Sequence, residues 1–253
     1  MVRGLDFGRY FGISAFPMFP LAHFFRREQS DRMKTFSTSR SGTWALLFFA
    51  ATTLGLFAGT TDPVTPRRPT ELFNGRDLTG WTAVAKGTNT TDIWWATNGV
   101  IRCAGKPFGY LRTLQTYRDY QLHVEWRWPA GPGNSGVFLQ LNPPDKVWPY
   151  CYEAQLLAGS AGEIRLNGGA TLQAINPPTA KSVPRRLPSS EKPAGEWNSY
   201  DLVCRGHSIT VRVNGVLQNE VTGTSVDSGC IGLQAEGQIV EFRNLTLAPL
   251  PVP

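Results

Sequence analysis

Two segments of this chain place acids, amides and a guanidinium at strand spacing. In Gln121-Leu-His-Val-Glu-Trp-Arg-Trp128 polar and apolar residues alternate. His123, Glu125 and Arg127 therefore share one face, and Leu122, Val124, Trp126 and Trp128 the other. In Cys151–Leu157 the same parity groups Glu153 with Gln155, and in Val137–Leu141 it groups Phe138 with Gln140. Consecutive strands are spatial neighbours roughly two-thirds of the time. Neighbouring strands here would gather two carboxylates, a guanidinium and two amides beside an aromatic ring. Two carboxylates can divide general acid and base work between them. Amides, acids and Arg bind hydroxyls, while an aromatic face takes the C–H side of a sugar ring.

On that reading Glu125 and Glu153 are the catalytic candidates, with His123 as the one imidazole near them. Arg127, Phe138, Gln140 and Gln155 would bind substrate. A solvated sheet face with ion pairs is the competing account, because antiparallel sheets commonly leave one face polar. Parity alone favours that account.

Loops add further candidates. Asn134 and Ser135 stand in a Gly-flanked turn, where an amide can meet a ligand but where Asn and Ser are also ordinary turn formers. Trp148 and Tyr150 flank Pro149 and suit a stacking platform. Trp81 and Trp197 read as core anchors. Lys181 lies in the Pro- and Lys-rich stretch 176–195, read as a long loop over one end, as an oxyanion binder or a solvated cation. His207 occupies a tight turn and reads as exposed.

The elements that must position these residues follow from the rest of the chain. With 41% apolar and 17% charged residues, the composition forms a core and is not that of a disordered chain. The formal charge of +6 suggests nucleic acid, but its location argues otherwise. Seven Lys/Arg against three Asp/Glu lie up to Arg40, whereas 16 against 15 lie from Thr70 onward. The remainder from Thr70 is nearly neutral and carries no electrostatic footprint for nucleic acid.

Residues 1–60 form a leader, disordered or helical. Lys34 and Arg40 precede an uncharged run, Trp44–Ala58, that ends in small residues, the pattern of a secretory signal peptide. The run is shorter than the ~20 residues a membrane span needs. The expectations are a true start at Met33, export to the periplasm or beyond, no stable membrane span after cleavage, and a linker over 61–69.

Cys103, Cys151, Cys204 and Cys230 permit two disulfides or four buried thiols, and their spacing matches no zinc pattern. Short alternating runs recur at Asn198–Arg205, Ser208–Val213, Val216–Val221, Ile231–Gln234 and Ile239–Leu247. Asn214-Gly215 between two of them is a strong hairpin signal. No segment carries a convincing helical period. The expectation is an all-β, two-sheet antiparallel β-sandwich over residues 70–250.

Several pieces then occur in an order that resembles one family. Glu71-Leu-Phe-Asn-Gly-Arg-Asp-Leu-Thr-Gly-Trp81 opens the domain. Gln121–Pro129, Gly133-Asn-Ser-Gly-Val-Phe-Leu139, Tyr152-Glu-Ala-Gln155 and Pro193–Asn198 follow, then Val213-Asn-Gly215, Gly232-Leu-Gln234 and Val240-Glu-Phe-Arg-Asn-Leu245. In this order they resemble the 3-keto-disaccharide hydrolase domain family. Two departures are visible. Leu156–Ser160 lacks the Asp that members often carry after Tyr-Glu-x-Gln, and Gly169-Ala-Thr-Leu-Gln173 lacks a Tyr.

The resemblance implies a concanavalin A-like jelly roll in an exported bacterial protein with a carbohydrate substrate. It also implies hydrolysis of glycosides oxidised at C3. There a base removes the acidified C2 proton, the C1 oxygen leaves, and water adds to the double bond. Glu153 or Glu125 would be the base, with the other Glu or His123 as acid. Arg127, Lys181 or a divalent cation would stabilise the oxyanion. A non-catalytic carbohydrate-binding module and a conventional two-carboxylate glycosidase are the alternatives.

Overall fold

The computed structural model describes residues 62–87, 90, 92–173, 175 and 177–251. The signal-peptide and start-site expectations lie outside them. The strands begin with β1 (Thr70–Glu71), β2 (Trp81–Ala85), β3 (Trp94–Thr97), β4 (Val100–Cys103), β5 (Gly109–Thr113) and β6 (Tyr117–Arg118). They continue with β7 (Tyr120–Arg127), β8 (Gly136–Asn142), β9 (Tyr150–Gln155), β10 (Ile164–Asn167) and β11 (Ser182–Val183). The last are β12 (Asn198–Arg205), β13 (Ser208–Val213), β14 (Val216–Thr222), β15 (Ser228–Ala235) and β16 (Val240–Pro249). Among the described residues no helix is long and apolar enough to cross a membrane.

Two antiparallel sheets result. The first runs β14-β13-β12-β7-β16-β4-β3, with β1 also on β16. The second runs β11-β10-β9-β8-β15-β5-β2, with β6 also on β15. Their apolar faces meet in one core, the expected sandwich. Leu122, Val124 and Trp126 of β7 and Tyr200 and Leu202 of β12 come from the first sheet. Val137 and Leu139 of β8 and Tyr152 and Ala154 of β9 come from the second. Trp126 and Tyr200 pack with ring centroids 4.7 Å apart. The Tyr200 hydroxyl donates to the Gln155 carbonyl and accepts from Gly162 N at 2.8 Å, so it ties the two sheets together.

The Asn214-Gly215 turn closes β13 onto β14 with both residues at positive φ, 49° and 81°, as a primed hairpin turn requires. The stretch after Asn176 is fastened along its length and is not a free loop. Its β11 extends the second sheet beside β10. Beyond that it lies against β14, where Arg186 N donates to Gln218 O and the Gln218 amide donates to Pro188 O. The segment before β1 is also fastened, since Val64 exchanges backbone hydrogen bonds with Thr116 and Arg118.

The four cysteines are buried free thiols. Cys103 and Cys204 lie in the core between the sheets. Cys151 and Cys230 lie in a smaller cluster with Tyr110, Phe138 and Leu141.

One topological fact decides the site. The turn that leaves β7 at Arg127 carries the chain across the sandwich, so β7 and β8 belong to different sheets. Polar residues of β7 and polar residues of β9 lie on the outer faces of different sheets, on opposite sides of the core. The expected single face bearing Glu125 and Glu153 does not form.

Candidate active site

On the outer face of the first sheet, the β7 residues build an ion-pair network. Glu125 accepts from Arg243 Nε at 2.7 Å and Asn244 Nδ2 at 2.9 Å. Burial pushes its carboxyl up, but these partners win and hold it below the usual range. Arg127 pairs with Glu241 at 2.5 Å, and Glu241 also pairs with Arg102 at 2.9 Å. Trp197 lies under the Arg127 and Arg243 guanidiniums, 4.7 and 4.0 Å from its ring centre. It is a half-buried cation–π partner on this face and not the core anchor expected of it. Every charge of the set is matched, which is the solvated ion-pair face that parity allowed.

His123 is bound into the same network, with Nδ1 2.7 Å from Asp201 and Nε2 3.8 Å from Glu125. The Asp201 hydrogen bond raises its pKa against the opposing effect of burial. The folded state therefore favours the imidazolium. Its stabilisation is complete below the unfolded pKa, near 6.5, and is lost as pH rises through the higher folded value. His123→Gln is expected to reduce the loss of melting temperature between pH 6 and 9, as thermal melts would show. An unchanged slope would mean that His123 is neutral throughout.

The second sheet is different. Parity on its outer face brings together Glu153 and Gln155 of β9, Arg165 and Asn167 of β10, and Gln234 of β15 with Glu236 just beyond it. With Asn134, Trp148 and Leu157 they line a pocket of about 350 Å³. A larger depression of about 660 Å³ is lined by Thr, Ser, Gly, Gln173 and His207 and has no carboxylate. The smaller pocket is the one equipped for acid–base chemistry.

Glu153 is 1% exposed. Its Oε2 accepts from Asn167 Nδ2 at 2.6 Å, and its Oε1 has no partner. Burial pushes the carboxyl up to about 7, reinforced by the neighbouring Glu236 and opposed by Asn167 and Arg165. Room for this carboxyl depends on Gly136 of β8, where a Cβ would stand 2.5 Å from Oε1. Burial also raises Glu236, more than Arg165 and the amides of Asn134 and Gln234 lower it. Asn134 Oδ1 and Gln234 Oε1 are buried and unpartnered. Buried polar atoms in that state are uncommon and mark a place where a ligand's hydroxyls would fit.

The remaining candidates separate cleanly. Gln155 and Trp148 line the pocket, and Trp148 is 43% exposed. Phe138 is on the right face but fully buried, with its ring against Tyr110 at 5.6 Å, so it offers no stacking surface. Gln140 leaves the face altogether. It is the residue of a β-bulge at φ 50°, and its amide donates to Gly206 O at 3.3 Å. Ser135 is fully buried and donates to Gln234 O at 2.7 Å, a structural clamp. The Tyr150 hydroxyl is bound to Ser225 Oγ, away from the pocket. Lys181 is exposed and is not among the pocket residues, though its carbonyl accepts from Leu166 N at 2.8 Å. Arg165, Asn167 and Glu236 are not among the sequence candidates; alternation from Cys230 to Glu236 is the signal that could have found Glu236, whereas the four residues of β10 are too few to show one.

Comparison with known proteins agrees on the architecture. Among curated proteins none matches the chain in sequence. A presumed glycosyl hydrolase of Parabacteroides distasonis superposes with TM-score 0.55 and 20% identity, over 73% of this chain and 94% of that one. The carbohydrate-binding module CBM66 of Bacillus subtilis gives 0.51 and 14%, over 67% and 96%. LamA of Zobellia galactanivorans, solved with laminaritriose and laminaritetraose, gives 0.51 and 11%, over 73% and 98%. At such identities these likenesses establish the concanavalin A-like jelly roll and nothing finer. The family model described as the 3-keto-alpha-glucoside-1,2-lyase-like domain matches residues 68–248, and with nearly the whole sandwich covered the chain belongs to that family.

Proposed function

We propose that this protein cleaves glycosidic bonds of 3-keto-glycosides by elimination, with Glu153 as the base. The observation that carries this reading is the Glu153 carboxyl itself. It is buried, titrates at about 7, and keeps one oxygen unpartnered in a pocket rich in unpartnered amides. A base poised near neutral pH suits removal of a proton acidified by an adjacent ketone.

Glu153 Oε1 takes the C2 proton, and the electron pair passes to the C3 oxygen as an enolate. Arg165 is the cation of the pocket and the group suited to stabilise that charge. The enolate then collapses to a C1–C2 double bond as the C1–O bond to the aglycone breaks. Glu236, whose carboxyl burial raises, lines the same pocket and is the group placed to pass a proton to the leaving oxygen. Addition of water across the double bond completes a net hydrolysis.

The pocket also offers oxygens of the kind a hard divalent cation takes: Asn134 Oδ1 and Gln234 Oε1 are unpartnered, and with the Glu236 carboxylate they would hold such an ion without engaging Glu153. Bound there, such an ion would polarise the keto oxygen.

The test is release of free sugar from a 3-keto-glucoside and from its unoxidised parent, each with and without chelator. Release from the keto form alone is expected. Release from both forms would indicate ordinary two-carboxylate hydrolysis. Binding without release from any linkage would indicate a sugar-binding module. A second variant separates the two acids. Glu125→Gln is expected to leave kcat/KM within about threefold, because Glu125 lies across the core from the pocket. It should cost only about 1 kcal/mol of stability, as its ion pairs are partly exposed. A hundredfold loss of activity in that variant would return catalysis to the first sheet.

A further inference from the structure

Trp148 and Leu157 are the apolar residues of a pocket otherwise lined by polar side chains, and the polar groups beside Trp148 are spent differently from those around Glu153. Around Glu153 the amide oxygens of Asn134 and Gln234 and Oε1 of Glu153 itself lack partners. Toward β5 the polar groups satisfy one another. Arg112 clasps Asp145 through Nε at 2.9 Å and Nη2 at 2.8 Å. Its Nη1 donates to Thr113 O at 3.1 Å. The Tyr110 hydroxyl donates to the same Asp145 at 3.1 Å. Asp145 sits in the loop between β8 and β9, and this clasp holds that loop over the Tyr110–Phe138–Leu141 cluster.

The same loop carries Trp148, which lines the pocket and remains 43% exposed. Phe108, 38% exposed, immediately precedes β5. The two rings are 6.3 Å apart and inclined at 58°, an open aromatic corner. Trp148 belongs to the pocket wall and Phe108 extends its ring surface outside it, and large exposed rings side by side are costly to leave in water and suit a binding surface.

We propose that Trp148 and Phe108 bind the leaving group and that it is an aryl aglycone. The assignment rests on the 3-keto-glycoside reading for the sugar end of the same pocket. A sugar leaving group would need hydroxyl partners beside the rings, and Arg112, Asp145 and Tyr110 are already committed to one another. A planar aryl group needs only the ring faces. Asp145 and Arg112 are positioning residues. They touch no substrate and act by fixing the loop that bears Trp148.

The experiment compares three 3-keto-glucosides with phenyl, methyl and glucosyl aglycones. Binding is measured by calorimetry and turnover by product release, on the wild-type protein, Trp148→Ala and Asp145→Asn. The expected result is that wild type binds the phenyl compound about tenfold more tightly than the other two. Trp148→Ala should abolish that preference by weakening the phenyl compound about tenfold and the methyl compound much less. Asp145→Asn should reduce the preference in part, through KM with kcat retained. Equal affinity of wild type for all three, preference for the glucosyl compound, or a uniform loss in Trp148→Ala would overturn the proposal. If wild type prefers the phenyl compound in binding but turns over none of the three, the aglycone site stands and the elimination reading falls. Circular dichroism of each variant shows that the sandwich is intact. If Trp148→Ala does not fold, Trp148→Leu replaces it, with the same loss of preference expected.

Discussion

Glu153→Gln is expected to lower kcat for a 3-keto-glucoside by roughly 10³-fold, within the range that a positioned base contributes. Binding should change little, because Gln is nearly isosteric and can keep a contact with Asn167. In the wild-type protein kcat/KM should rise with pH and level off above about 7, the value to which burial lifts this carboxyl. The sign follows from the chemistry. A base acts when deprotonated, so activity is lost as pH falls through its pKa. Glu153→Asp keeps a carboxyl but draws it back by one methylene from the unpartnered position of Oε1. An intermediate loss of about a hundredfold is expected there. Activity within threefold of wild type in Glu153→Gln would remove Glu153 from the reaction and leave Glu236 as the carboxylate of the pocket.

Much of the sandwich was legible because its strands obey one rule. Burial alternates along β7 and β12 in step with the apolar residues, and Asn214-Gly215 marks its own turn. The sheet to which each strand belongs was not legible. Glu125 and Glu153 share a parity, and parity is all that alternation records. The crossing of the chain between Arg127 and Gly136 assigns them to opposite outer faces. Gln140 fails for a local reason, since a bulge at positive φ breaks the period of two that placed it beside Phe138. Arg165 and Asn167 sit on a strand of four residues, too short for a pattern to stand out. The motifs that carry the resemblance hold Glu125, Asn134, Glu153 and Gln155. Asn134, Glu153 and Gln155 do meet in one pocket, where pairings far apart in sequence also bring Gln234, but Glu125 belongs to the other sheet.

The same carboxyl should also leave its mark on stability. Glu153 titrates near 4.5 when unfolded and at about 7 when folded, so between those values the folded chain holds the extra proton. Stability contributed by this group is complete below pH 4.5, declines as pH rises to about 7, and is constant above it. At about 1.36 kcal/mol per pH unit of difference, the decline is roughly 3 kcal/mol. Gln cannot ionise and avoids it. Glu153→Gln should match wild type near pH 4 and exceed it by roughly 3 kcal/mol at pH 8, a rise of several degrees in Tm. Other titrating groups impose much the same slope on both proteins and largely cancel in the difference. An inactive variant that is the more stable of the two at pH 8 would mean that the active site holds its base at a cost to the fold. A difference that is absent, or of opposite sign, would mean that Glu153 stays ionised near pH 4, as a cation ligand or salt-bridge partner would, and the base would have to be sought in Glu236.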